Sequence, residues 1–371
     1  MRVVAMQSGT SADGIDVATV EVGVRGTALD LHPVRLETVP WDPAVRDEIL
    51  AAAHGSPRDA LAWTRLDTEL GQAFADAAAE AGPCDVVVSH GQTIHHWTEA
   101  GRTRGTLQLG EPSWIAERTG SPVVSHVRSQ DVAAGGDGAP LMGVFDRLWA
   151  AGLGRDRVTT VNLGGIANVQ IVAPEGVTAF DTGPANCLID DVVQRATGRA
   201  CDIDGALATA GSVDARTLET LLAHPYLAQL PPKSTGRETW NLDVVDHAAP
   251  PSLRLEDLVA TLTAFTAETV ARAVTGDLVV LSGGGVRNPA LVRALRERIP
   301  QARVSDELGI DAEHKESLLF ATLGALAWFR VPVRPGRAPA RIAGRFTPGP
   351  RGLDLPPALP AIDAVRVAPF G

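Results

Sequence analysis

Residues 3–22 read VVAMQSGTSADGIDVATVEV, and this stretch decides the fold of the 371-residue chain. An apolar run at 3–6 leads into small and polar residues, and an apolar/polar alternation resumes over 15–22. The pattern predicts a strand, a tight turn and a returning strand. Because Gly, Ser, Thr and Asp leave backbone N–H groups and hydroxyls accessible, the turn suits a polyphosphate. The same residues also favour an ordinary hairpin turn for local reasons, so both interpretations stay open here.

The composition is that of a globular protein with two domains. Hydrophobic residues make up 45% and charged residues 21% of the 371 residues. The net charge of −11 argues against a nucleic-acid partner, since phosphate neutralisation needs clustered cations. Cys84, Cys187 and Cys201 are too few and too widely spaced for a disulfide or metal framework. Without a signal peptide or an apolar run near the roughly 20 residues of a membrane span, we expect a cytoplasmic protein with no membrane partner.

The first half of the chain alternates strands and helices. The patterns predict a strand at 29–39, helices at 43–52 and 58–81, a strand at 85–89, a helix at 111–119 and a strand at 122–125. Residues 135–140, Gly-Gly-Asp-Gly-Ala-Pro, are typical of a loop.

The second half begins in the same way. Strands are predicted at 158–161, 166–172 and 177–180, with a small-residue turn at 162–165, so we interpret the chain as a structural duplication. A strand at 277–281 meets Ser-Gly-Gly-Gly, and Asn288 is predicted to cap a helix that has Pro289 at its first position. Next come a predicted helix at 316–329 and an irregular tail, in which one strand is predicted at 340–343. We expect the glycine turns to converge on a cleft between two α/β domains.

Several nucleotide-binding motifs are missing. Neither of the two lysines, Lys233 and Lys315, lies in a glycine-rich loop, so a P-loop is excluded. A Rossmann G-x-G-x-x-G turn and the protein-kinase signatures are also missing. What remains is phosphate binding by hairpin turns, one in each domain, as in the actin, Hsp70 and hexokinase superfamily.

A series of motifs makes this interpretation specific. In chain order they are SGTSADGID (8–16), SHGQTI (89–94), GEP (110–112), AAGG (133–136), NLGGIAN (162–168), FDTGPAN (180–186), KSTGRE (233–238) and SGGGVRN (282–288). In order and spacing the chain resembles the anhydro-N-acetylmuramic acid kinase family from residue 1 to about 330. The resemblance implies two actin/hexokinase-like α/β domains, 1–125 with 333–371 and 126–332, around a nucleotide and sugar cleft. It also implies a homodimer.

The resemblance further implies an unusual kinase reaction. The family uses ATP and Mg²⁺ to open the 1,6-anhydro ring of anhydro-N-acetylmuramic acid and to phosphorylate O6, giving the 6-phosphate in cell-wall recycling. Water attacks the anomeric carbon, so a general base is required. Asp181, at the end of the strand predicted over 177–180, is the candidate. The alternative is that Asp181 caps a helix starting near Pro184.

The resemblance also assigns candidate binding residues. Those for ATP are Gly9, Thr10, Ser11, Ala12, Asp13, Gly14, Ile15, Asp16, Gly164, Gly165, Gly283, Gly284, Gly285 and Asn288. Those for the sugar are His90, Gln92, Thr93, Glu111, Arg128 and Glu316. Arg128 would bind the lactyl carboxylate, and Asp13 would orient a Mg²⁺ held mainly by phosphates and water.

Structural explanations stay open for most of these residues. Asp13 is also typical of a turn, and Gly283–Gly285 of a tight connection between a strand and a helix. Arg128 also fits an ion pair, Glu316 a solvated first-turn residue, and His90 a structural hydrogen bond.

The chain departs from the family pattern in a few places on the sugar side. His126-Val127-Arg128 stands where the family has Asp-Phe-Arg, Asp137 replaces Gln, Gln7 replaces Met, and a Pro soon after His96 is missing. Levoglucosan kinase, which acts on a simpler 1,6-anhydro sugar, is therefore the alternative enzyme. An inactive sugar or nucleotide sensor is the alternative of another class.

Overall fold

The opening hairpin is present as predicted. The computed structural model of the protein describes residues 1–99 and 101–370, and its strands are β1 (Arg2–Ser8), β2 (Gly14–Arg25), β3 (Ala28–Pro40), β4 (Val86–Glu99), β5 (Arg102–Leu109), β6 (Val123–Ser125), β7 (Val158–Leu163), β8 (Ile166–Ala173), β9 (Gly176–Pro184), β10 (Val279–Ser282), β11 (Ala302–Val304), β12 (Arg345–Thr347) and β13 (Ala364–Val367).

The helices have polar N-caps where the sequence offers them, such as Asp42 and Asp59, whose side chains accept from backbone N–H groups of the first turn. The helices are α1 (Pro43–Ala53), α2 (Ala60–Glu80), α3 (Pro112–Thr119), α4 (Val127–Ala133), α5 (Met142–Gly152), α6 (Cys187–Thr197), α7 (Ala206–Ala210), α8 (Ala215–Leu222), α9 (Leu242–Ala248), α10 (Leu255–Ala271), α11 (Pro289–Arg298) and α12 (Lys315–Trp328).

The two sheets share one strand order. In the first sheet β1, β2 and β3 form an antiparallel meander, β4 pairs parallel with β1, and β6 pairs parallel with β4. In the second, β7, β8 and β9 form the meander, β10 pairs parallel with β7, and β11 with β10. The first sheet is extended by β12 beside β6, β13 beside β3, and β5 beside β4. The predicted structural duplication is confirmed by this repeated order.

The chain divides into two compact units, Met1–Gly154 with His314–Gly371, and Arg155–Glu313. The domain boundaries predicted at 125/126 and 332/333 fall inside the first unit. The reason is packing: α12 lies so close to the first sheet that a Cβ on Gly324 would be 2.1 Å from Val88 Cγ2. Helix α5 likewise packs against β13.

Apolar side chains of the helices and the sheets form the cores of the two units. In the first unit Leu70 and Phe74 of α2 and Ile115 of α3 pack with the sheet residues Val4 and Val87. In the second unit Val161 and Leu281 form a core with Leu291 of α11. Within the described residues, no helix combines the length and apolar character needed to cross a bilayer.

Some predicted elements are displaced or wrong. Residues 340–343 form no strand; only Arg341 makes an isolated bridge, with Val333, and the tail instead supplies β12 and β13. Helix α6 starts at Cys187 rather than near Pro184, because β9 runs on to Pro184. The loop predicted at 135–140 contains no helix or strand, as expected.

Candidate active site

The tip of the first hairpin is exposed, and its base is fixed by hydrogen bonds. Ala12 N–H donates to Gly9 O at 3.1 Å, and Ala12 has a positive φ of 52°. At the base of the turn Ser8 Oγ donates to Gly14 O at 2.7 Å and accepts from Trp41 Nε1 at 3.0 Å. A fixed base therefore presents the exposed Gly9, Thr10 and Ser11 to solvent.

Side chains from other elements also hold the turn. Arg46 of α1 donates through Nε to Ala12 O at 2.9 Å and lies 3.2 Å from Asp13 Oδ1. Gln92 Nε2 of β4 donates to Gly9 O at 3.0 Å, so this predicted sugar residue contacts the predicted phosphate turn. Sequence reasoning missed Arg46, because nothing in the sequence places it near the turn.

Three further residues of the 9–16 segment, Ala12, Gly14 and Ile15, have structural roles. A Cβ on Gly14 would lie 2.6 Å from Val39 O, so close approach of β2 and β3 requires a glycine there. The side chains of Ala12 and Ile15 are buried in the core. Any ligand contact of Ile15 is therefore through its backbone.

His90 and Arg128 form a buried hydrogen-bonded pair. Arg128 Nε donates to His90 Nε2 at 2.6 Å, and Arg128 Nη1 donates to Gly138 O at 2.9 Å. His90 Nδ1 lies 3.0 Å from Gly91 O. Since Nε2 accepts, Nδ1 carries the proton. Burial, followed by the charge of Arg128, lowers the pKa of His90 to about 3, so the ring is neutral.

Glu316, at the start of α12, lies in the same electrostatic network. The Glu316 residue is exposed, but desolvation by the surrounding protein raises its pKa, the Arg128 guanidinium opposes that rise, and the Asp16 carboxylate adds to it. The Gln7 side chain donates a hydrogen bond to Glu316 and lies 3.5 Å from Asp16 Oδ2. The structure thus brings Arg128, Glu316 and Asp16 together, and adds Gln7, which the sequence marked only as a departure from the family.

The remaining sugar candidates have local partners. Glu111 is the N-cap of α3, where Oε1 accepts from Ser113 N at 3.1 Å and from Ser113 Oγ at 2.6 Å. Thr93 follows Gln92 on β4 and is half-buried.

Two of the departures from the family pattern, His126 and Asp137, also have partners. His126 has a positive φ of 59°, and its Nδ1 lies 2.8 Å from Ser125 Oγ. Asp137 pairs with Arg337 at 2.7 Å and with Arg102 at 3.5 Å. Both residues therefore have a structural partner in the first unit.

The second glycine hairpin is held through backbone carbonyls. Gly165 O accepts from Ala185 N at 2.9 Å and from Cys187 N at 3.1 Å. Gly164 O accepts from Asn186 N at 3.0 Å and from Asn186 Nδ2 at 2.8 Å. The turn between β7 and β8 is thereby attached to the connection between β9 and α6. Asn186 was quoted in a sequence motif without a role.

The third glycine turn packs on the second. Gly283 has a φ of 84°, and a Cβ on Gly285 would lie 2.7 Å from Leu163 Cβ, whereas Gly284 has open space. Asn288 caps α11 as predicted: its Oδ1 accepts from Ala290 N at 3.0 Å and from Leu291 N at 3.1 Å. Close packing in a tight connection between β10 and the following helix therefore explains the glycines at 283 and 285.

Asp181 lies inside β9, not at its end. Its register partner Asn168 donates from Nδ2 to Oδ1 at 2.9 Å, and Thr235 N–H donates to Oδ2 at 3.0 Å. The N-cap position of α6 belongs to Asn186, so the helix-cap alternative for Asp181 is wrong. Each carboxylate oxygen has a fixed donor and retains a lone pair with which it can accept a proton. Asn168 and Thr235 stand in the quoted NLGGIAN and KSTGRE motifs, the only sequence signal for them.

Within residues 1–99 and 101–370, no group of three or more His, Cys, Asp or Glu side chains could hold a metal ion. Asp13 and Asp16 offer single carboxylates on the first hairpin, and Asp16 Oδ1 accepts from Thr38 Oγ1 at 2.6 Å. This donor set fits a Mg²⁺ held mostly by phosphates and water rather than by a protein cage.

The repeated strand order defines a protein of two α/β units, as predicted. The model of the anhydro-N-acetylmuramic acid kinase family matches residues 1–344. The chain therefore belongs to that family, and it is an enzyme of the sugar-kinase class.

Two relatives of that name, compared by sequence, agree with this assignment. The chain is 46% identical to the anhydro-N-acetylmuramic acid kinase of Streptomyces avermitilis, over 96% of this chain and 97% of that protein. It is 43% identical to the enzyme of that name from Rhodococcus erythropolis, over 100% of this chain and 98% of that protein. Among solved structures, the xylulose kinase from Rhodospirillum rubrum aligns over 95% of both chains, with a TM-score of 0.43 and 12% identity.

Proposed function

We propose that the protein uses ATP to open the 1,6-anhydro ring of anhydro-N-acetylmuramic acid and to phosphorylate O6, giving N-acetylmuramic acid 6-phosphate for cell-wall recycling. The observation that carries the proposal is the Asp181 carboxylate, oriented by Asn168 Nδ2 at 2.9 Å and Thr235 N at 3.0 Å in a chain of this family. Two fixed donors hold the carboxylate in one orientation, as a general base requires.

Asp181 would act on the water molecule. Its carboxylate accepts a proton while the water oxygen forms a bond to C1 of the sugar, and the C1–O6 bond breaks. The departing O6 attacks the γ-phosphorus of ATP, the bond between that phosphorus and the bridging oxygen breaks, and ADP leaves. Because phosphoryl transfer captures O6, a second carboxylic acid is not obligatory.

The glycine turns would hold the nucleotide. The exposed tip at Gly9–Ser11, fixed at its base by Ser8 and Trp41, supports a phosphate site in the first unit. We assign the second phosphate turn to Gly164 and Gly165, and the adenosine to Gly283–Gly285 with Asn288. Because Asn288 Oδ1 already caps α11, only its Nδ2 is left for the nucleotide. A Mg²⁺ bound by the phosphates would supply charge neutralisation, with Asp13 orienting its water ligands.

Arg128 would recognise the lactyl carboxylate. Its Nε and Nη1 already donate to His90 and Gly138, which leaves the Nη1/Nη2 edge for an end-on, two-point contact. Glu316 would accept hydrogen bonds from sugar hydroxyls, and Thr93 and Glu111 would line the same site. Gln92 is fully buried and donates to Gly9 O, so it would support the site rather than contact the sugar. The electrostatic coupling of Glu316 to Arg128 supports their joint placement.

The test is an ATP-turnover assay with anhydro-N-acetylmuramic acid and levoglucosan in parallel, with mass spectrometry of the products. We expect ADP and a product that has gained one water and one phosphoryl group from the first sugar. Gain of a phosphoryl group without water would overturn the ring-opening step. ADP only with levoglucosan would transfer the assignment to that sugar, and no ADP with either sugar, despite ATP binding, would favour the sensor.

We further propose that the protein works as a cytoplasmic homodimer whose two actin-like domains correspond to the two compact units. Cys84, Cys187 and Cys201 are all free thiols, which supports a reducing compartment. Light scattering that gives the mass of a single chain under assay conditions would contradict the dimer.

A further inference from the structure

The hydrogen bonds of His90 are all directed into the protein. Its Nε2 accepts from Arg128 Nε at 2.6 Å, its Nδ1–H donates to Gly91 O at 3.0 Å, and the residue is only 7% exposed. One face of the ring packs against Phe320 of α12, with ring centroids 4.8 Å apart. A ring with both nitrogens occupied has no hydrogen-bonding capacity left for a sugar hydroxyl.

The orientation of Arg128 is set by these partners. Nε is anchored to His90, and Nη1 is anchored to Gly138 O at 2.9 Å, so two of the three guanidinium nitrogens fix the plane of the group. A planar guanidinium recognises a carboxylate only when that plane is correctly oriented. A histidine that sets the plane therefore influences recognition without contacting the ligand.

We propose that His90 is a positioning residue for substrate selection: it fixes the Arg128 guanidinium so that Arg128 distinguishes an anhydro sugar bearing a carboxylate from one that lacks it. The inference rests on the proposed function, and it replaces the expectation that His90 contacts the sugar. The selected feature is an acidic ether substituent on the anhydro sugar.

The protonation state of His90 supports this role. Burial and the charge of Arg128 lower its pKa to about 3, so Nε2 keeps its lone pair for Arg128 at neutral pH. A protonated ring would place two donors, Nε2–H and Arg128 Nε–H, opposite each other. The pair is stable only with a neutral histidine.

The experiment compares two substitutions that imitate different ring nitrogens. In His90→Gln the amide oxygen reaches the position of Nε2, whereas in His90→Asn the shorter amide reaches only the position of Nδ1. Each variant and Arg128→Met is assayed with anhydro-N-acetylmuramic acid and with 1,6-anhydro-N-acetylglucosamine, which lacks the lactyl carboxylate. The measured quantity is the ratio of the two kcat/KM values.

We expect His90→Asn to lower the ratio by about 10- to 100-fold, the usual effect of losing a hydrogen bond to a charged group. The loss should lie mainly in KM for the acidic sugar, Arg128→Met should lower the ratio at least as much, and His90→Gln should recover most of it. In the double variant His90→Asn/Arg128→Met the ratio should equal that of Arg128→Met alone. Equal losses for both sugars, or an unchanged ratio in His90→Asn, would overturn the proposal.

A measurement without substrate separates this inference from the proposed function. Long-range ¹H–¹⁵N spectra of labelled protein should show His90 with a proton on Nδ1 and a bare Nε2 at pH 7, and His90→Asn should shift the Arg128 Nε–H resonance. If wild-type protein phosphorylates neither sugar but shows these signals, the proposed function fails while the pair stands. A bare Nδ1 with a proton on Nε2 would exclude the pair itself.

Discussion

The two glycine hairpins occupy equivalent positions in their sheets but are held in different ways. The first turn, between β1 and β2, is fixed by side chains from other elements, namely Trp41, Arg46 and Gln92. The second, between β7 and β8, is fixed by the backbone of residues 185–187 and by Asn186. The same strand order therefore does not dictate how a turn is stabilised.

The difference has a consequence for the chemistry. Residues 185–187, which hold the second turn, come immediately after β9, the strand that contains Asp181. The second turn is therefore attached to the same stretch of backbone as the candidate base. The first turn has an exposed tip and a charged pair, Arg46 with Asp13, at its side. We therefore expect substitutions in the second hairpin to lower kcat. In the first hairpin we expect substitutions at the base to lower stability and substitutions at the tip to weaken nucleotide binding.

The largest effect is expected at Asp181. Asp181→Asn removes the proton acceptor and should lower kcat by about 10²- to 10⁴-fold, as is usual for a general base. Its amide nitrogen must also face Asn168 Nδ2 or Thr235 N–H, so we expect a loss of stability of about 1–3 kcal/mol, measured by denaturation. Asp246→Asn, at an exposed pair with Arg195, is the control. Near-normal turnover in Asp181→Asn would remove this residue from the mechanism.

In the first hairpin the comparison is between two glycines, Gly14 at the base of the turn and Gly9 at its tip. A Cβ at Gly14 would lie 2.6 Å from Val39 O, so Gly14→Ala should destabilise the fold by about 1–3 kcal/mol, as overpacking does. At Gly9 the nearest atom, Ser11 Oγ, is 3.9 Å away, so Gly9→Ala should be nearly neutral in urea unfolding. If the tip binds phosphates, Gly9→Ala should still raise KM for ATP. Equal stability in the two variants would mean that the strands move apart freely.

In the second hairpin the comparison is between two asparagines. Asn186→Ala removes two hydrogen bonds to the carbonyls of Leu163 and Gly164 and should cost about 1–3 kcal/mol with a fall in kcat. Asn288→Ala removes a helix cap at about 1 kcal/mol and should leave kcat closer to wild type. Thermal unfolding and steady-state kinetics of both variants measure this. A larger fall in kcat for Asn288→Ala would reverse the assignment of the two residues.

The hairpins and most long helices were predictable, because alternation and helical spacing are local signals. Strands β5 and β11 and helices α4, α5 and α7 to α10 were not predicted, and α10 is one of the longest helices, with 17 residues. The strand predicted at 340–343 was wrong. The strands of the tail are β12 and β13, which form where the chain pairs with the edges of β6 and β3, and the local sequence does not reveal that pairing.

The site shows the same limit. Asp181 was a candidate from its motif, but the donors that orient it come from a neighbouring strand and from Thr235, 54 residues away. The pairing of His90 with Arg128, 38 residues apart, likewise depends on how α4 packs against β5, the strand next to β4. The sequence motifs therefore predicted the type of reaction, whereas the residues that orient Asp181 and Arg128 could be identified only from the tertiary structure.

A small stability effect is expected at Asp13. Its pair with Arg46 at 3.2 Å is exposed, so Asp13→Asn should change unfolding by less than about 1 kcal/mol, as should Asp76→Asn, which breaks an exposed pair with Arg118 at the same distance. If Asp13 orients the water ligands of Mg²⁺, only Asp13→Asn should raise the Mg²⁺ concentration needed for half-maximal activity. A matched Mg²⁺ dependence in the two variants would reduce Asp13 to a turn residue, and the first hairpin would then bind phosphates through its backbone alone.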